Sequence, residues 1–209
     1  MAGRVDLIID ITGEPGSRST VVDSFYRDSF DLTAFVYEKA KPLRSEPADW
    51  PIALSPSQLP TPDLDGALTQ DVIIQGGAMG GLNRAKLDGQ WMDLRDIARQ
   101  GLVWAINDTV AHKLDMPPLI DVTRGTSVRL IIENRTAFPH PMHLHGHHML
   151  MLSIDGKPLS TPRWVDSPLI LPKQRVELAF VADNPGKWLF HCHALEHHAA
   201  GLGALVNVT

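Results

Sequence analysis

The chain has few of the features that mark membrane-spanning, nucleic-acid-binding or disulfide-stabilised proteins. No apolar run approaches the roughly 20 residues that a membrane-spanning helix needs, and the first six residues lack the apolar stretch of a signal peptide. The 209 residues carry a net charge of −5 without a basic run, so nothing indicates binding to nucleic acid. The single cysteine, Cys192, excludes an internal disulfide and leaves the redox compartment open.

Histidine is almost absent from the first two thirds of the chain and concentrated after it. The first 139 residues contain only His112, whereas nine of the ten histidines fall between His140 and His198. Cys192 lies in the segment His-Cys-His-Ala-Leu-Glu-His, which ends at His197, and His140 opens the earlier segment His-Pro-Met-His-Leu-His-Gly-His. Because soft sulfur combined with imidazole nitrogen is a ligand set that copper prefers, these segments predict copper chemistry.

Strand geometry predicts that the cysteine segment serves two metal sites. Side chains at i and i+2 leave a strand on the same face, and the residue between them leaves on the other face. In an extended segment His191 and His193 therefore face one way and Cys192 the other, with a short covalent path by which electrons could pass from sulfur to imidazole. A helical turn after Cys192 would bring His197 back beside the sulfur.

The earlier histidine segment repeats this arrangement. His143 and His145 are again two residues apart, and His140, separated from them by a proline, is free to turn toward the cysteine side. Two imidazoles and a thiolate in a trigonal plane, with a weak or absent axial ligand, describe a blue-copper site. The set predicted for that site is His140, Cys192 and His197.

Short apolar segments separated by Gly and Pro predict an all-β fold. The first forty residues are expected to form two or three strands, including Arg4–Ile11 and Leu32–Tyr37, and one short helix is expected over Trp91–Arg99. Further strands are predicted at Asp71–Ile74, Val128–Ile132, Met149–Ile154, Leu169–Leu171, Val176–Phe180, Trp188–Phe190 and Leu205–Val208. Their short, regular spacing is typical of an antiparallel sandwich or barrel.

A connector rich in Pro, Ser and charged residues divides the chain. It runs from about Lys41 to Asp65, and its composition suits an extended segment on a surface. We therefore expect residues 1–43 to be the end of one domain, residues 44–65 to be a linker and residues 66–209 to be a complete second domain.

The two histidine segments resemble those of the multicopper oxidases, the family of laccases, bilirubin oxidase, ascorbate oxidase and bacterial copper-efflux oxidases. In that family the last cupredoxin domain, a Greek-key β-sandwich, carries His-Pro-x-His-Leu-His-Gly-His and His-Cys-His-x-x-x-His, and both patterns match here without a gap. The resemblance covers most of the chain: Arg4–Asp10 looks like the end of a middle domain, and Trp104–Asn107 and Gly125–Asn134 look like the start of the final one.

The resemblance implies a role for each ligand position. A type 1 copper would take electrons from the substrate, with Leu202 at the axial position as a non-ligating residue, and electrons would pass through Cys192, His191 and His193. The implied type 1 ligands are His140, Cys192 and His197; His143 is the implied type 2 ligand; His145, His191 and His193 are the implied type 3 ligands. At the type 2 and type 3 coppers dioxygen would be reduced to water.

The chain departs from the family pattern in two respects. A complete trinuclear centre uses four His-x-His pairs and this chain supplies two, so we expect the other pairs to come from N-terminal domains or from a partner chain. Many bacterial relatives place Glu directly after the last type 1 histidine, where this chain has His198, so the proton donor is not identified. The resemblance also implies that the reducing substrate is a small molecule or a metal ion and that the protein is periplasmic or secreted.

Other interpretations of the same residues remain open. Cys and His also suit tetrahedral Zn(II), and a lone thiol can be a buried apolar residue or a catalytic nucleophile. A non-catalytic blue-copper carrier would need only the type 1 set, and a subunit of a split oxidase would need a partner. His147 and His148 are interpreted as supporting or packing residues, not ligands.

Overall fold

The computed structural model describes residues 7–25, 27–44, 46, 55–113 and 115–209, and these fall into two compact units. The smaller unit lies within residues 5–57 and contains an antiparallel hairpin of β1 (Arg18–Asp23) and β2 (Phe30–Val36). Apolar side chains of this hairpin are exposed, among them Phe30 at 56% and Leu32 at 64%.

The strand predicted at Arg4–Ile11 is not formed by residues 7–11, which have no regular structure, and its first three residues lie outside the described part of the chain. Alternation alone did not make residues 7–11 a strand, since they pair with no strand in the described part of the chain. β1 was missed by the sequence analysis. The predicted domain boundaries stay a prediction, and much of the predicted linker, residues 45 and 47–54, lies outside the described residues.

The larger unit, Gln58–Thr209, consists mainly of two β-sheets. Its elements are β3 (Leu68–Gly76), β4 (Arg84–Leu87), β5 (Gln90–Asp93), α1 (Leu94–Ala98), β6 (Trp104–Ile106), β7 (Ile120–Val122), β8 (Ser127–Asn134), β9 (His140–Leu144), β10 (Met149–Ile154), β11 (Lys157–Val165), β12 (Leu169–Ile170), β13 (Arg175–Val181), β14 (Gly186–Cys192), α2 (Leu195–Ala199) and β15 (Gly203–Val208). The predicted all-β class is confirmed.

The two sheets enclose one main core. The six-stranded sheet has the order β11-β10-β13-β8-β3-β6, and the five-stranded sheet has the order β12-β9-β14-β15-β7. Along β8 the burial alternates residue by residue, so one face enters the core, where Leu130 and Ile132 meet Phe180, Phe190 and Val206 from other strands. Burying such side chains stabilises the sandwich by about 1.5–3 kcal/mol each before entropy is counted.

Two parts of the sequence-based description are corrected. The sandwich is not purely antiparallel, because β3 pairs in parallel with β8, and β15 with β7; strand direction depends on distant pairing that local patterns do not contain. The helix predicted over Trp91–Arg99 is instead β5 followed by the short α1. The turn at Asp88 and Gly89, both at positive φ, closes a β4–β5 hairpin, and Asp93 then caps α1 by accepting from the Arg95 N–H at 2.8 Å.

The histidine segments meet because β9 and β14 are neighbours in the five-stranded sheet. His191 is opposite His143, and Cys192 is opposite Met142. The chain then turns into α2, which carries His197. Among the described residues no helix is long and apolar enough to cross a membrane.

Candidate metal centre

Three side chains from β9, β14 and α2 form a compact sulfur and nitrogen cluster. The Cys192 Sγ lies 3.6 Å from the His140 Nδ1 and 3.6 Å from the His197 Nδ1. All three candidate ligand atoms lie within 4.8 Å of one another. The three residues predicted for a type 1 site are thus brought together, although 52 positions separate His140 from Cys192.

His140 reaches the cysteine side through strand parity and not through the turn that the sequence analysis invoked. It lies within β9, and like Met142 and Leu144 it occupies a buried even-numbered position, whereas His143 is only partly buried. Residues an odd number of positions apart on a strand face opposite ways, so His140 and His143 separate without a change in direction.

Aromatic rings surround this cluster, and no role was predicted for them from the sequence. The Trp104 ring centroid lies 4.9 Å from that of His140 and 4.7 Å from that of His197, while Phe138 packs edge-on against Trp104 at 5.7 Å. Trp104 is 5% exposed. The only sequence signal was that Trp104 opens a segment resembling the start of the final domain, which says nothing of contacts to His197 through space.

Leu202 joins the two ends of the cysteine segment through its backbone. The Cys192 N–H donates to the Leu202 carbonyl at 3.2 Å, and the Leu202 N–H donates to the His197 carbonyl at 3.0 Å. The Leu202 side chain is fully buried. These bonds hold α2 against the end of β14, so the separation of Cys192 and His197 is set by backbone geometry.

Burial makes the metal-free cluster electrically neutral at neutral pH. Desolvation, with a smaller contribution from nearby His197, lowers the pKa of His140 to about 3. Desolvation also lowers the pKa of His197, and it raises the pKa of Cys192 to about 11. Both imidazoles therefore offer a nitrogen lone pair, whereas a metal must displace the thiol proton.

A second cluster, of four histidines, is formed from the other face of the same strands. The ring centroids of His143 and His145 are 4.8 Å apart, and those of His145 and His191 are 5.1 Å apart. His193 completes the group at 5.6 Å from both His143 and His191. His145 and His193 are exposed, so this cluster opens toward solvent, unlike the cluster at Cys192.

Hydrogen bonds indicate which nitrogens of this second cluster are available to a metal. The His143 Nδ1 lies 2.8 Å from the Asp166 carbonyl, and the His191 Nδ1 lies 2.8 Å from the Cys192 carbonyl. A carbonyl only accepts, so each Nδ1 carries the hydrogen and each Nε2 keeps its lone pair. The Nε2 atoms of His145 and His191 face each other at 3.0 Å, and burial lowers the pKa of His191 to about 4.

Two other histidines lie beside the clusters, each with one buried nitrogen that makes no hydrogen bond to the described residues. His147 is buried against Phe180 and Trp188, and its Nε2 lies 3.9 Å from the Asp183 carboxylate. His198, at the position where many relatives have Glu, packs against the ring of His191 at 4.5 Å, and its buried Nδ1 has no partner. His148 is exposed.

The donor chemistry of the first cluster fits copper. It offers one sulfur and two nitrogens without a carboxylate, in a buried aromatic environment, which are the properties of a trigonal cupric or cuprous site. The second cluster offers four imidazoles, a nitrogen-only set that also suits copper.

The two packed sheets and the sulfur and nitrogen cluster define a cupredoxin-like domain. A family model described as multicopper oxidase matches residues 89–209, more than half of the chain, and includes every candidate ligand. The chain belongs to the multicopper oxidase family.

Known proteins similar to this chain are much longer than it. It is 41% identical over 88 residues to a multicopper oxidase of Mycobacterium tuberculosis, covering 42% of this chain and 17% of that protein. It is 32% identical over 120 residues to L-ascorbate oxidase of Cucurbita pepo, covering 45% of this chain and 22% of the relative. The chain thus spans about a fifth of the length of these relatives.

Solved structures show the same fold. A multicopper oxidase from Pseudomonas thermotolerans superposes with a TM-score of 0.67 at 22% identity, covering 94% of this chain and 41% of that one. Another, from Pseudomonas parafulva, has a TM-score of 0.57 at 28% identity, covering 79% of this chain and 36% of that one.

Proposed function

We propose that this chain provides the type 1 copper site and half of the trinuclear copper site of an oxidase that uses O2 as electron acceptor. The observation that carries the proposal concerns Cys192. Its side chain belongs to the cluster with His140 and His197, whereas the residues on either side of it, His191 and His193, belong to the cluster of four histidines. Copper in these sites would supply one-electron oxidation of a reducing substrate and reduction of O2 to water.

His140, Cys192 and His197 are proposed to hold the type 1 copper. His140 and Cys192 are buried and His197 is partly buried, which shields the ligand atoms from water, and the bonds through Leu202 keep the sulfur and the His197 imidazole at a constant separation. Leu202 is assigned to the axial position as an aliphatic residue that does not bind the metal. A three-coordinate site of this kind favours Cu(I), which should raise its reduction potential.

The histidines of the second cluster are proposed to hold half of a type 2 and type 3 centre. His143 is assigned to the type 2 copper, and His145, His191 and His193 are assigned to the type 3 pair. Cys192, His191 and His193 form the proposed electron-transfer path, since one peptide segment connects the two clusters. Two further His-x-His pairs, from N-terminal domains or a partner chain, would complete the centre across its open side.

The substrate and the location of the protein are proposed from family membership alone. The reducing substrate is a small molecule or a metal ion, as for the laccases and ascorbate oxidases that the chain resembles, and the protein acts in the periplasm or outside the cell. A copper carrier without catalysis is the weaker proposal, because it would have no use for the exposed histidines of the second cluster.

Copper titration of the purified chain tests the type 1 assignment. We expect an intense absorption band at roughly 600 nm, where a Cu(II) thiolate transition falls, together with the matching EPR signal. Cys192→Ser should abolish the band, and His112→Gln, a histidine outside both clusters, should keep it. If zinc binds more tightly than copper and no band forms, the type 1 assignment is wrong.

Oxygen consumption tests the proposed trinuclear half. With a small-molecule reductant as electron donor, addition of a protein segment carrying two further His-x-His pairs should allow the copper-loaded chain to reduce O2. His143→Gln should prevent this while keeping the band at roughly 600 nm. Equal oxygen uptake by the His143→Gln variant and the parent would contradict the assignment of the second cluster.

A further inference from the structure

A fully buried polar network lies next to the sulfur and nitrogen cluster. Asn134 and Thr136 are both 0% exposed. The Asn134 Nδ2 lies 2.7 Å from the Phe138 carbonyl and 3.1 Å from each of the Ile170 and Leu171 carbonyls. Three carbonyls require a donor, so this atom is the amide nitrogen, and the Asn134 Oδ1 faces the Thr136 backbone N–H at 3.0 Å as an acceptor.

This assignment determines where the Thr136 hydroxyl hydrogen points. The Thr136 Oγ1 lies 2.7 Å from the Asn134 Oδ1 and 3.1 Å from the Phe138 carbonyl, and both of these oxygens only accept. The hydroxyl has one hydrogen, which goes to the Asn134 Oδ1, because otherwise lone pairs of the two oxygens would face each other at 2.7 Å. The hydroxyl oxygen is then an acceptor for its other neighbours, the Phe138 N–H at 3.1 Å and the His140 Nε2 at 2.9 Å.

We propose that Thr136 is a positioning residue that sets the tautomer of His140. An accepting hydroxyl at 2.9 Å requires the hydrogen of His140 on Nε2, which leaves the lone pair on Nδ1, the nitrogen that faces the Cys192 Sγ at 3.6 Å. Asn134 orients the hydroxyl, and Thr136 in turn orients the imidazole. The inference deepens the proposed type 1 site and rests on it for its function.

The network also connects the ligand to the rest of the fold. Ile170, whose carbonyl accepts from Asn134, is the register partner of His140 in the β12–β9 pair. Thr136 and Asn134 therefore hold the imidazole from the side opposite the cysteine, at the place where β8 and β12 approach β9. A hydrogen bond at the His140 Nε2 restricts rotation of the ring and makes Nδ1, the proposed ligating nitrogen, more basic.

The tautomer is tested directly in the metal-free chain by long-range ¹H–¹⁵N NMR of the imidazole rings. The parent chain should show His140 with the hydrogen on Nε2. Thr136→Val, which has the same shape without the hydroxyl, should lose this single tautomer or switch to the other, and Thr136→Ser should restore it. A parent spectrum with the hydrogen on Nδ1, or a Thr136→Val spectrum identical to the parent, would overturn the inference whether or not copper binds.

Copper affinity tests the functional consequence. Loss of a supporting hydrogen bond at a ligand histidine typically weakens metal binding by about 10- to 100-fold, and we expect a loss in this range for Thr136→Val, with an altered EPR signal and full recovery in Thr136→Ser. Ile132→Val, a buried change in β8 that costs about 0.5–1.5 kcal/mol of stability, is the matched control and should bind copper like the parent.

The outcomes separate the two proposals. A parent chain without the thiolate band refutes the type 1 assignment, while the NMR result still decides the tautomer. A parent chain with the band and a Thr136→Val variant with the same affinity and EPR signal refutes the positioning role alone. Equal losses in Thr136→Val and Ile132→Val would also refute it, since they would arise from stability and not from the hydroxyl.

Discussion

The metal-free chain should lose stability on both sides of neutral pH, and the acid side is set by buried histidines. His140 and His191 are 0% and 6% exposed, and burial lowers their pKa values in the folded chain to about 3 and about 4. An unfolded chain returns both to about 6.5. Between the folded and unfolded pKa values the unfolded state binds more protons than the folded state. The contribution of these two histidines to the free energy of unfolding is therefore complete above about pH 6.5 and is lost as the pH falls.

The size of the acid effect follows from these values. A pH of 5 is about 1.5 units below the histidine pKa in the unfolded chain and still above the pKa of both histidines in the folded chain. Each pH unit in this range changes the free energy of unfolding by about 1.4 kcal/mol per histidine. His140 and His191 should each cost about 2 kcal/mol, or about 4 kcal/mol together. A domain has about 5–15 kcal/mol of stability, so this loss is a large fraction of the total.

The alkaline side depends on the thiol. Burial raises the pKa of Cys192 to about 11, so between the ordinary thiol pKa and that value the unfolded chain is deprotonated while the folded chain is not. Stability from this group is complete at lower pH and is lost as the pH rises toward 11. The free energy of unfolding should therefore be greatest between the histidine and thiol ranges.

Urea unfolding of the metal-free chain, with a chelator present and at pH values from 5 to 8, measures this effect. His140→Gln should reduce the loss of stability at pH 5 by about 2 kcal/mol, because the contribution of this histidine is removed. His148→Gln removes an exposed imidazole and is the matched control, expected to follow the parent. A free energy of unfolding that stays constant from pH 8 to pH 5, or an undiminished slope in His140→Gln, would refute the reasoning.

Two further predictions concern the surroundings of the proposed type 1 site. Leu202→Met should lower the reduction potential of the copper-loaded chain, because a thioether at the axial position stabilises Cu(II), and redox titration of the thiolate band measures it; an unchanged potential would place Leu202 elsewhere. Gly77→Ala should alter that band, since Gly77 has φ +70° and an added Cβ would lie within 2.7 Å of Trp104 ring carbons. Gly146→Ala, with φ +73° and a milder clash at 2.7 Å against Trp188 ring atoms, is the control and should leave the band unchanged at a cost of about 1–3 kcal/mol.

Local sequence patterns predicted the strands in which apolar residues alternate in the same way as buried residues do, or form one continuous run. Met149–Ile154 was predicted with its observed bounds, and β8 and β13 were predicted to within a few residues, because each alternates or is continuously apolar. The apolar pattern did not predict β9 as a strand. Its extended conformation is stabilised by pairing with β12 and β14, whose residues are far away in the sequence.

The sequence by itself determined that the candidate ligands fall into two sets and which residues belong to each. The reason is the two-residue period of a strand, which directs His191 and His193 away from Cys192 wherever that segment is placed. This separation holds in the structure, with the two clusters on different sides of β9 and β14.

Only the tertiary structure decided what surrounds the candidate ligands and which hydrogen-bond partners their nitrogens have. Thr136 contacts His140 across a short loop, and Asn134 is oriented by carbonyls 36 and 37 positions away. Trp104 packs against the rings of both His140 and His197. These contacts depend on hydrogen-bond directions and packing between distant segments. No local period carries such information, because it arises only when the two sheets close on one core.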